Sequence, residues 1–238
     1  MLETGGSVDE LNVSLLSIRK KQVGGNIINL KGCISNTQPS VYFKESFLNN
    51  PLFKLLPEGY DICYEFNINE ESIYPRFYLY DSTSPLNKID YDHVIGSIFI
   101  HFNIPLYGWT RWTPWNNIAY IPELIINSDL EGFNLRGAGI GTFLILCSIA
   151  YAKSFGINIV RLYDASTGFR TEHNIYKKLG FQYDDETGHE MVGDINVIYS
   201  RLPVFIELKG EKFSNKLNEL TEYFNDDEWV EEENDSMD

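Results

Sequence analysis

The apolar residues of this chain change their spacing once, and that change limits the fold more than any other feature. In the first half they alternate in short runs, at Asp61–Ile68, Arg76–Tyr80, His93–Phe102 and Ile118–Ile126. Alternation turns every second side chain to one face, as a half-buried strand requires. Ser82–Asn87 reads as a turn, and Tyr107–Asn117 as a loop carrying Trp109, Trp112 and Trp115. Such a series predicts an antiparallel meander. From Thr142 to Phe155 the spacing becomes helical, and Gly156 supplies a stop. Ile157–Tyr163 is a β-branched strand, Thr171–Leu179 a short helix closed by Gly180, and Phe181–Tyr183 and Val192–Ser200 the last strands. Strands followed by helix, strand, helix and strands imply an α/β (α+β) class, with a mixed central β-sheet flanked by helices.

The ends read differently. Residues 1–25 are a polar extension, Asn26–Ser35 a strand, and Val41–Leu56 a helix stopped by Pro57-Glu58-Gly59. Residues 26–205 would be the folded domain and 206–238 a C-terminal helix with an acidic tail, partly disordered. Glu219–Asp238 holds ten acidic residues and no basic one, so most of the net charge of −15 sits there. An acidic chain is poorly suited to nucleic acid, whose affinity comes from Lys and Arg displacing counterions. The start, MLETGGSVDE, lacks the basic and apolar segments of a secretory signal, and the longest apolar run, Thr142–Ala152, is too short to span a bilayer. Cys33, Cys63 and Cys147 are odd in number and none lies in a C-x-x-C pair. They are expected to be reduced thiols, and the protein cytoplasmic. The four histidines show no metal-ligand spacing, so no metal site is expected.

Chemistry concentrates in Arg136-Gly137-Ala138-Gly139-Ile140-Gly141-Thr142, directly ahead of the long apolar helix. The first amides of a helix lack partners and carry partial positive charge, and glycines let an anion approach them. No Gly-Lys-Ser/Thr follows, which excludes a P-loop, and Thr142 stands where a dinucleotide fingerprint needs its third glycine. A ligand-free glycine turn is the plainer alternative.

The pattern Arg136-x-x-Gly139-x-Gly141 resembles the signature of the GNAT N-acetyltransferases. Downstream, Asn174-Ile175-Tyr176-Lys177-Lys178-Leu179-Gly180-Phe181 is similar to that family's second motif, with one helix and one strand between. The resemblance covers roughly residues 118–200. It implies a GNAT-like sheet and transfer of an acetyl group from acetyl-CoA directly to a primary amine of a small molecule or protein. The N–H groups of Ala138, Gly139, Ile140, Gly141 and Thr142, with Gly137 and Arg136 beside them, would hold the CoA diphosphate. Tyr176 would protonate the departing thiolate or position the thioester, and Asn174 would contact pantetheine. Glu123, on the strand before the loop, would be the general base, with Glu190 as second candidate. The connection 127–135 is longer than the family's and leaves the register of Glu123 open. Residues 136–178 carry six basic and two acidic side chains in an otherwise acidic chain, which suits a phosphate-rich ligand. The acidic remainder favours a cationic acceptor, and a homodimer is the candidate assembly. The rival reading is a catalytically inactive GNAT-like binding module whose acidic surface meets a protein partner.

Overall fold

The computed structural model describes residues 28–68, 73–81, 94–102, 117–127, 129–130, 132–165, 170–184 and 188–232. The N-terminal extension, the Ser82–Asn87 turn and the three tryptophans at 109, 112 and 115 lie outside the described residues. The sheet comprises β1 (Ile28–Cys33), β2 (Tyr60–Ile68), β3 (Ile73–Asp81), β4 (Val94–His101), β5 (Ile118–Ile126), β8 (Ile159–Tyr163), β9 (Gln182–Tyr183) and β10 (Glu190–Asp194). Their order across the sheet is β1-β2-β3-β4-β5-β8-β10-β9. The first five strands form the antiparallel meander that alternation predicts. A small hairpin, β6 (Asp129–Leu130) and β7 (Phe133–Asn134), occupies the connection after β5.

β5 and β8 pair parallel. A parallel pair needs a crossover, and here it is α2 (Ile140–Ser154), which is buried on nearly every side, as an all-apolar helix must be. Gly96 lets α2 approach β4, because a Cβ there would lie 3.0 Å from Leu144. Tyr151 of α2 packs among Phe43, Phe47, Phe66, Phe77 and Phe102, and its hydroxyl donates to the Tyr42 carbonyl at 2.8 Å.

Several local expectations change. The helix expected over Val41–Leu56 is instead α1 (Glu45–Leu48) followed by a 3-10 turn at Pro51–Leu55. Pro51 cannot continue the helical ladder, and the Asn50 side chain caps the new turn by accepting from Leu52 N–H at 3.0 Å. Thr171–Leu179 shortens to α3 (Ile175–Leu179). The strand expected over Val192–Ser200 ends at Asp194, whose carboxylate accepts from the N–H groups of Asn196 and Val197 and starts α4 (Ile195–Tyr199). The C-terminal helix, α5 (Leu202–Glu232), runs into the acidic segment. It joins the core through Phe205, Phe213, Leu217 and Leu220, with Phe213 stacked on Phe143 at 4.6 Å.

The cysteine reading needs correction. Cys33 and Cys63 face each other across β1 and β2 and form a disulfide. Opposite positions on adjacent antiparallel strands bring the sulfurs together although 30 residues separate them, which spacing alone does not reveal. Only Cys147 is free, inside α2, where burial pushes its thiol up and leaves it inert. The disulfide removes the reduced thiols on which the expectation of a cytoplasmic protein stood. Among the described residues, no helix is long and apolar enough to cross a membrane.

Candidate functional site at the carboxyl end of the parallel strands

Pro122 marks the point where β5 leaves β8. The two strands pair from Ile118↔Ile159 to Ile121↔Leu162 and no further, while β5 continues to Ile126 beside β4. The register between β4 and β5 slips at the same place: Phe99 faces Glu123, whereas His101 faces Tyr120, which leaves one extra residue on β5. An extra residue bends its strand, and a proline has no N–H to keep a ladder closed. The two strands therefore part toward their carboxyl ends, and this gap is the candidate cleft, at the end of the sheet where open α/β folds take ligands.

The glycine turn stands at that end. Gly137 and Gly139 have φ values of 73° and 92°, the left-handed region that side chains resist. A Cβ on Gly139 would also sit 3.2 Å from the Phe205 ring, so α5 packs where a side chain would project. One on Gly141 would lie 3.4 Å from Ile175 and 3.8 Å from Ile126, so the turn, the end of β5 and the start of α3 meet there. Ala138 and Ile140 bury their side chains in the core. The Ala138 N–H is committed to the Leu135 carbonyl at 3.3 Å, and the Phe143 N–H to Gly139. The amides of Ile140, Gly141 and Thr142, in the first turn of α2, have no backbone acceptor among the described residues. The anion cradle is thus narrower than the sequence suggests, lacking Ala138. Arg136 is exposed beside it, its backbone N–H donating to Asn134 Oδ1 at 2.8 Å. Lys212 of α5 adds a second cation, its Nζ 3.9 Å from where a Gly137 Cβ would be. Sequence reasoning missed Lys212, since nothing local links it to a turn some 70 residues upstream.

Tyr176 lies one residue past the Ile175 contact, half-buried against Phe181. Burial, and then the negative charge of Asp164, raise its phenol above the ordinary range, so it keeps its proton at neutral pH. Asn174 is the N-cap of α3. It is buried, its Oδ1 accepts from the N–H groups of Tyr176 and Lys177 at 2.9 and 3.0 Å, and its Nδ2 donates to Asp164 at 2.7 Å.

Glu123 sits just past the splay, on the sheet face turned away from α2. Its Oε2 accepts from Arg76 Nη2 at 2.7 Å, and the Arg76 guanidinium crosses over the intervening Phe99 ring. Glu190, on β10, faces Tyr163 at the carboxyl end of β8 and pairs with Arg161 at 3.4 Å. Glu123 thus follows Pro122 directly on β5, whereas Glu190 is on the strand beyond β8. Among the described residues there is no cluster of side chains able to hold a metal ion.

No family model and no curated protein matches the chain. Solved structures similar to it include GCN5 of Tetrahymena, 17% identical over 51% of this chain and 68% of that one, with a TM-score of 0.33. A candidate N-acetyltransferase from Lactobacillus plantarum is 12% identical over 79% of this chain and 93% of its own, with a TM-score of 0.32. Both likenesses are remote.

Proposed function

We propose that this chain transfers an acetyl group from acetyl-CoA to a primary amine. The observation that carries the reading is the parting of β5 from β8 at Pro122, with the end of β5 and Ile175, the residue before Tyr176, both meeting the glycine turn whose following amides have no backbone acceptor. The residues suit the cosubstrate. Three free helix amides with Arg136 and Lys212 offer donors and charge to a diphosphate, and the gap between β5 and β8 offers the pantetheine arm unpaired strand edges. When bound, acetyl-CoA supplies an activated thioester.

The chain's own residues do the rest. The Tyr176 phenol, protonated at neutral pH, donates to the departing sulfur. The amine has to attack as the neutral base, so its extra proton must leave. Glu123 is the carboxylate at the opening, and a water relayed to it accepts that proton. Its engagement by Arg76 also supports a second reading, in which the same scaffold binds CoA without turnover and presents an acidic surface to a protein.

Free thiol released from acetyl-CoA, measured across a panel of polyamines, aminoglycosides, lysine peptides and neutral amines, separates the two. Turnover that falls about a hundredfold in Tyr176→Phe supports the enzyme. CoA binding with no thiol release on any amine, and no effect of Tyr176→Phe, supports the binding module. The absence of any binding of CoA or acetyl-CoA by calorimetry refutes both.

A further inference from the structure

A buried carboxylate destabilises a fold unless donors compensate it. Asp164 is fully buried at the end of β8. Its Oδ2 accepts from Tyr183 Oη at 2.6 Å and from Asn174 Nδ2 at 2.7 Å. Its backbone is clamped as well: the N–H donates to the His189 carbonyl, and the carbonyl lies 2.8 Å from His189 Nδ1. Tyr183 is held in turn by the Arg170 N–H, which donates to its hydroxyl at 2.7 Å, and by the Arg170 guanidinium 4.5 Å over its ring. Arg170 adopts a left-handed φ of 57°, and its Nη2 donates to the Gly188 carbonyl.

This network ends on the helix that carries Tyr176. α3 has five residues, too few to hold an orientation by its own hydrogen bonds. The Asn174 amide holds the first turn through its oxygen and Asp164 through its nitrogen. Serine or aspartate would cap a helix equally well. Neither performs both tasks, because serine has no second arm and aspartate would set two carboxylates together. Asparagine is the cap that also donates.

We propose that Asp164 and Asn174 are positioning residues for Tyr176, a buried acceptor and an amide link that fix its phenol at the cleft. The inference rests on the acyltransfer reading. Asn174→Ser keeps the cap and cuts the link, so kcat should fall about tenfold or more, with CoA affinity within about twofold of the unmodified protein. In a Tyr176→Phe background the same substitution should change kcat less than twofold, because the group it orients is gone. Asp164→Asn, which can keep an oxygen facing both donors, should recover most of the kcat lost in Asp164→Ala. Equal fold-losses from Asn174→Ser in both backgrounds, or equal losses in the two Asp164 variants, would overturn the proposal while leaving acyl transfer intact. Absence of turnover in the unmodified protein would instead sink the acyltransfer reading, and the positioning role with it.

Discussion

Breaking the Cys33–Cys63 bond should destabilise the protein and spare its chemistry. The bridge closes a loop with a sequence separation of 30 residues. Chain-entropy arguments for a loop of that length give about 3.6 kcal/mol, most of it through freedom restored to the unfolded chain. For a chain of this size that corresponds to a fall in Tm of about 7–14 °C. The bridge ties down β1, the edge strand, which is separated from the β5–β8 cleft by β2, β3 and β4. Thermal unfolding with and without reductant should therefore differ by that margin, and the Cys33→Ser/Cys63→Ser double variant should match the reduced protein. Initial rates of thiol release at 20 °C should be unchanged. Thiol titration of the denatured, unreduced protein should find one free cysteine. Three free thiols, or a Tm indifferent to reductant, would refute the cross-strand bond. A loss of rate at 20 °C would refute the separation of edge strand from cleft.

Other consequences concern the turn, the second cation and pH. Gly139→Ala should cost about 1–2 kcal/mol from its left-handed φ alone, with more from displacing Phe205; a Tm equal to that of the unmodified protein would contradict the packing of α5 on the turn. Lys212→Ala should weaken CoA binding several-fold at low salt and much less at high salt, read by calorimetry at two ionic strengths; a salt-independent effect would argue against a phosphate contact. Burial pushes the Tyr60 phenol up to about 12 although a hydrogen bond with Thr221 opposes the shift. The unfolded chain releases that proton near pH 10 while the folded one retains it, so stability should fall as pH rises from 10 to 12. Urea titrations over that range should show a shallower fall in Tyr60→Phe.

The meander and the crossover helix are readable along the chain because each strand alternates and α2 is apolar throughout. Alternation survives in local sequence even when the partner strand is remote. The failures share a different cause. Pro51 and Asp194 redirected segments whose apolar content allowed either state, and a cap or a missing N–H decides such cases locally. Cys33 and Cys63 became partners through the register of β1 on β2, which hydrophobic pattern does not report. Asp164 carried a visible hint, a charge closing a β-branched strand at the ligand end of the sheet.

The amino-acid order by itself settles that a glycine turn precedes a buried helix and that Tyr176 follows one strand later, since both depend on neighbours in the chain. Which amides remain free, where β5 parts from β8, and what holds Tyr176 in place were decided by tertiary structure. Each of these depends on residues apart in sequence, such as Phe205 against Gly139, Ile175 against Gly141, or Asp164 against Asn174. Packing and hydrogen bonding bring such groups together only once the sheet has set its register.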